Sequence, residues 1–272
     1  MNKRNRVAGY ASAVASVLML AGIYLLFMNW YSRGMNAEAA EPGCEILLRY
    51  LMPGLSDFGM VAGVLYAVSA YGFFTNRSWA YPLVVVANIL ALQASWFINV
   101  PFMAAGLPPV YFILFWPNLA LYFFLLRYVG QQPWNRILVG LLMGMAFIFC
   151  FMNGVASWSR IITIGKQIFV FVQRLNWIAF IGWGFATAGF LLRPKEWVRV
   201  TGLAAGLLEV IVGIPLVIAT TISLGRFSLF TFGPLSCLIL VILLVWPGVW
   251  EKLSRSGGQD SPLPALSPSG NA

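Results

Sequence analysis

Runs of apolar residues recur along most of the chain, each close to the ~20 that cross a hydrocarbon core as a helix. Short polar stretches separate them. The pattern predicts about eight such segments, at 7–30, 52–74, 79–100, 109–126, 137–158, 175–192, 200–222 and 230–249. The first is longer than the core of a signal peptide. The small residues around Ala37-Glu38-Ala39 lie well beyond it, so it reads as an uncleaved span.

Between the fifth and sixth segments, Ile161, Ile164, Ile168 and Val172 form an apolar stripe, with Arg160, Thr163, Gln167 and Arg174 opposite. That periodicity predicts an amphipathic helix over 160–174, lying on the outer membrane surface. From Ser254 onward Ser, Pro and Gly dominate. Residues 1–253 therefore read as a transmembrane domain, and 254–272 as a disordered cytoplasmic tail.

The polar exceptions inside the apolar runs concentrate in 88–118. Asn88, Ser95 and Asn99 fall at i, i+7 and i+11, on one helical face beside Ala91. Pro117 interrupts the following segment immediately before Asn118. Amides and a helix-breaking proline survive at membrane depth when they face other helices or a wet cavity. This hairpin is expected to face the bundle interior. Gly59-x-x-x-Gly63 and Gly140-x-x-x-Gly144 are expected to serve close helix packing.

Composition sets the class. Of 272 residues, 60% are apolar and 9% charged, too few charges to cover a surface facing water. The predicted fold is all-α: a polytopic integral membrane bundle of about eight helices. The net charge of +9 comes mainly from short loops and the Lys3-Arg4-Arg6 cluster, which places both termini in the cytoplasm by the positive-inside rule. No basic stripe interleaves with aromatics on a soluble face, so the partner read from this charge is the lipid bilayer and not nucleic acid. Trp and Tyr at segment ends fit interfacial belts. Short loops and the lack of a globular domain point to a bacterial plasma membrane. Of the three cysteines, Cys150 and Cys237 fall in apolar runs and read as core, while Cys44 stands alone in the first loop.

The inventory of reactive groups excludes much chemistry. The chain has no histidine, which removes His-ligated haem, His-containing zinc and copper sites and Ser-His dyads. Asp57 and Asp260 are the only aspartates, so an intramembrane aspartyl protease is excluded. No cofactor or metal is expected. Glu38, Glu41, Glu45 and Asp57 form an outer acidic group, which reads as a solvated loop before a divalent-cation site.

Glu209 is different. It lies roughly 15 Å into its span at 1.5 Å per residue, and its charged form there costs about 2.5–3.5 kcal/mol. Gly202, Gly206 and Gly213 share its face. Three function classes follow. Transport through a path lined by Glu209, Asn88, Asn99 and Asn118 comes first, because of the intramembrane carboxyl and the prolines, Pro117 and Pro215, at mid-depth. A non-catalytic subunit docking on partner spans, or a homo-oligomer, is the alternative. A lipid-modifying enzyme using the outer carboxylates comes last.

Overall fold

The computed structural model describes residues 3–41, 43–225 and 227–255, and every element among them is helical. The helices are α1 (Lys3–Glu38), α2 (Cys44–Phe74), α3 (Ala80–Trp96), α4 (Asn99–Ala104) and α5 (Phe112–Phe124). They continue with α6 (Trp134–Thr163), α7 (Gln167–Leu192), α8 (Glu196–Leu224), α9 (Phe232–Val245) and α10 (Pro247–Arg255). Seven spans are long and apolar enough to cross a membrane, counting α3 with α4 and α5 with the π turn Leu125–Val129 that extends it. Large apolar side chains such as Val14, Tyr24, Ile211 and Ile222 point outward from them, which a bilayer solvates and water does not. Within the helices Ser12, Ser56 and Ser69 satisfy their hydroxyls on the carbonyls of Ala8, Met52 and Leu65, one turn back.

Three places depart from the sequence pattern. The amphipathic helix expected over 160–174 does not form: α6 runs on to Thr163 and α7 starts at Gln167. Gly165, at φ +72°, ends α6 in the left-handed conformation that glycine adopts without a Cβ clash, and its N–H returns to the Arg160 carbonyl at 3.1 Å. The apolar stripe is real but folded over. Ile161, Ile164 and Ile168 close from both sides of the turn on a small core of Phe169, Val172, Val212 and Leu216.

The third segment breaks between Trp96 and Asn99, where Pro101 has no N–H to donate and its ring crowds the carbonyl four residues earlier. The eighth ends at Val245. Trp246, preceding Pro247, is held extended at φ −72°, ψ 108°, and the chain bends by 87° into α10. Of the tail expected over 254–272, Ser254 and Arg255 belong to α10, and the remainder lies outside the described residues.

Most sequential helices pack as neighbours, α5 packing instead on α3 and α1, around two cores. Met19, Ile23, Met52, Tyr66, Phe102 and Leu114 belong to the first, built mainly by α1–α5 with Phe151, Met152 and Val155 of α6. Met143, Trp183, Phe190, Cys237, Leu240 and Leu244 belong to the second, built mainly by α6–α9. Edge contacts between Phe97 and Phe151 and between Trp96 and Phe149, at 5.2 and 5.7 Å, join the halves. The glycine pairs sort by environment. A Cβ on Gly59 or Gly63 would stand 2.7 Å from Ile23 or Leu20, so this pair seats α2 on α1. Gly144 has no such neighbour, the nearest atom being Thr187 Cγ2 at 4.0 Å. It lines an apolar cleft of about 250 Å³ with Trp96, Phe115, Trp116 and Gly140.

Candidate functional site

α8 begins at Glu196, just past Pro194, and carries Glu209 about 20 Å along its axis. The glycines on that face meet α9: a Cβ at Gly202 or Gly206 would come within 2.9 Å of Leu244 or 2.6 Å of Val241. This close approach draws the two backbones together and leaves Glu209 fully buried between α8, α9 and α6. Its partner is Asn153 of α6, whose Nδ2 donates to Glu209 Oε1 at 2.6 Å and to the Phe230 carbonyl at 3.2 Å. Gly213 and Gly233 supply the space: their Cβ positions would lie 3.0 and 2.7 Å from the same oxygen. The Cys150 thiol lies close to the carboxyl, and Cys150 Sγ is 3.8 Å from Cys237 Sγ.

The polar chain continues outward along α6. Ser157 Oγ donates to the Asn153 carbonyl at 2.7 Å, and Asn176 Nδ2 of α7 donates to Ser157 Oγ at 3.4 Å. Glu209 Oε2 and Asn153 Oδ1 find no hydrogen-bond partner among the described residues. The cluster therefore leaves two buried acceptor oxygens, one on Glu209 and one on Asn153, without a hydrogen-bond partner among the described residues.

Asn88, Asn99 and Asn118 are buried as their positions predict, but each is engaged elsewhere. Asn88 Nδ2 donates to Tyr66 Oη and to the Asn118 carbonyl, both at 2.9 Å. Tyr66 Oη donates to Asn118 Oδ1 at 2.9 Å, and Asn118 Nδ2 donates to the Leu114 carbonyl at 2.8 Å. This triad ties α2, α3 and α5 together in the first half. Asn99 closes the α3–α4 break: its Nδ2 donates to the Ser95 carbonyl, and its Oδ1 accepts from Tyr111 N–H at 3.0 Å. No hydrogen bond among the described residues joins any of these asparagines to Glu209.

Asn153, Tyr66 and Arg136 are absent from the sequence-derived site. A partial signal existed for two of them. Asn153 precedes Ser157 by one turn beside Gly154, and Tyr66 lies on the Gly59–Gly63 face. Arg136 is buried at the N-terminus of α6, with Nε and Nη2 donating to the Phe190 carbonyl at 3.0 and 2.9 Å. It neutralises the carbonyl end of α7.

The four acidic residues expected to form an outer group divide. Glu45 Oε2 accepts from Gly43 N–H at 2.8 Å, and Glu41 Oε2 accepts from the Cys44 thiol at 3.6 Å. Burial, helped by the charge of Glu41, raises the Glu38 carboxyl from 4.5 to about 7. Burial likewise pushes the Cys44 thiol up. Asp57 is exposed about 20 Å further along α2, well away from this turn. Among the described residues no three Cys, Asp or Glu side chains gather as metal ligands.

No family model matches the chain, and neither a curated protein nor a solved structure matches it.

Proposed function

We propose that this is a multi-pass protein of a bacterial plasma membrane, with its N-terminal end in the cytoplasm, that serves as a non-catalytic membrane subunit. The observation carrying this reading is the enclosure of Glu209: fully buried, bonded to Asn153 and pressed by the backbones of Gly213 and Gly233. A carboxyl held this way clasps three helices. The engagement of Asn88, Asn99 and Asn118 in bonds between elements, the last through Tyr66, supports the same reading.

The orientation rests on charge. Asn5 bonds Asn76 at 2.9 Å, so the N-terminus and the α2–α3 turn share one end of the bundle. Arg77, Arg127, Arg193, Lys195 and Lys252 sit at that end and, with the basic N-terminus, outweigh Arg160, Lys166 and Arg174 at the other, where the acidic Glu38, Glu41 and Glu45 also lie.

A small ion-coupled permease component is the second reading. Glu209 Oε2 and Asn153 Oδ1, buried without hydrogen-bond partners among the described residues, favour it, each being an acceptor that a proton or small cation would satisfy. Isolation from native membranes in mild detergent, with mass by light scattering, tests the first reading. A defined complex well above the 30.0 kDa of one chain is expected. A lone chain whose Glu209→Gln variant folds normally but loses ion-driven uptake in vesicles would reverse the order.

A further inference from the structure

The apolar cleft at Gly144 lies in the seam between the two halves. α5 packs on α3 and α1, whereas α6 packs on α7 and α9, so side chains of α3, α5 and α6 face a common space of about 250 Å³. Along α6 the cleft extends from Gly140 to Phe149, roughly 13 Å, and it begins about 9 Å from the start of that helix. That is the depth of the hydrocarbon core. Gly144 keeps it open, since a Cβ there would meet no atom closer than 4.0 Å.

The mouth and the walls define what can enter. Trp116 of α5 and Met145 of α6 stand among the lining residues and are exposed on the flank of the bundle. Leu92, Phe147 and Ile148 form an inner wall that is buried. The two hydroxyls in the lining are already spent. Tyr122 Oη donates to the Ile137 carbonyl at 2.8 Å, and Thr187 Oγ1 to the Trp183 carbonyl at 2.7 Å. Ordered water needs two to four polar partners, and such walls hold it poorly. An unfilled slot would forfeit dispersion contacts along its lining. Hydrocarbon satisfies both conditions, and it is the solvent at the mouth.

We propose that this cleft is a binding slot for one acyl chain of a bilayer phospholipid, which enters sideways between α5 and α6. The volume admits a chain segment and not a whole lipid, so the headgroup stays outside at the membrane interface. The chain fills the seam and becomes part of the packing that joins the two halves. Such a slot requires the protein to be embedded in a membrane, as proposed above, and serves a subunit or a permease alike.

The test uses the full chain in phosphatidylcholine liposomes containing a trace of phosphatidylcholine with a diazirine midway along one acyl chain. After illumination, adducts are mapped by peptide mass spectrometry. Ile211, Ile218 and Ile222 of α8 face outward and report the ordinary lipid shell. The parent should carry adducts there and also on the buried Leu92, Phe147 and Ile148. Gly144→Phe, which sets a ring in the slot, should lower the slot adducts about tenfold and leave those on α8 unchanged. Leu119→Trp fills the slot from the opposite wall and takes its place if Gly144→Phe does not fold. Adducts on α8 with none on the buried wall of the parent would overturn the proposal. So would slot adducts that persist at the parent level in a folded, slot-filling variant. A chain that alkaline carbonate strips from membranes, with α8 also unlabelled, would overturn the membrane reading and the slot with it, a result distinct from an empty slot.

Discussion

At Glu209 the surroundings determine which substitutions are tolerated. Glu209→Gln retains an oxygen for Asn153 Nδ2 at nearly the same volume, and its thermal midpoint in detergent should match the parent. Glu209→Leu removes that acceptor and should cost about 1–3 kcal/mol, visible as a lower midpoint. The glycines give an internal contrast. Gly233→Ala would set a methyl against Asn153 Nδ2 and 2.7 Å from Glu209 Oε1, and should destabilise by about 1–3 kcal/mol. Gly144→Ala, whose nearest neighbour is 4.0 Å away, should leave the midpoint unchanged. Equal effects at both positions would show that helix propensity, not the Glu209–Asn153 pair, governs them. At the α1–α2 turn, Glu38 holds its proton more tightly in the fold than in the unfolded chain. Between pH 4.5 and about 7 the folded state therefore carries more protons. Its contribution to stability is complete below that window and is lost as the pH rises through it. Melting curves should show this decline, and Glu38→Gln should flatten it.

At the scale of elements, prolines and arginines decide where helices stop and how their ends are closed. Pro101 breaks the third span and Pro247 turns the last one, while α8 continues through Pro215 without interruption. Helix ends inside an apolar bundle leave carbonyls without water, and two arginines from neighbouring helices fill that need. Arg136 serves α7, and Arg199 serves α9 through the Leu244 and Val245 carbonyls at 2.7 and 3.0 Å. Arg136→Met should therefore cost about 1.5–3 kcal/mol, the range for hydrogen bonds to a charged group. Protease sensitivity should appear first near residues 191–195, where α7 would fray. A variant as stable as the parent would mean that the α7 carbonyls find other partners.

For the whole molecule, alternation of the spans places the α6–α7 turn opposite the N-terminus. Lys166 Nζ meets Ser223 Oγ there at 3.1 Å, and Cys44 meets Ser159. In a chain stripped of its native cysteines, a cysteine at Gly165 should react with an impermeant maleimide in intact cells. One at Arg77 should react only after lysis. Labelling of both from the same side would require a different number of crossings, with the short α9 and its bent partner α10 as the first elements to reconsider.

The existence of the long apolar helices and the interior placement of Asn88, Asn99, Asn118 and Glu209 were legible in the chain itself, whereas the helix ends were not: α1, α2 and α7 run past the apolar segments by up to eight residues. Hydrophobic periodicity is a local property, and an amide in hydrocarbon must turn inward whatever it meets. Which groups meet was not legible. Asn153 lies 56 residues before Glu209 and Tyr66 lies 52 before Asn118, and nothing local links either pair. The stripe of Ile161, Ile164 and Ile168 shows the same limit. Its period is helical, yet one left-handed glycine folds it onto a shared core instead of a membrane surface. Local sequence determined what each segment had to bury. Only the packing of α6, α8 and α9 decided that a carboxyl, an amide and two thiols would be buried together, because glycines let those backbones approach where larger side chains would hold them apart.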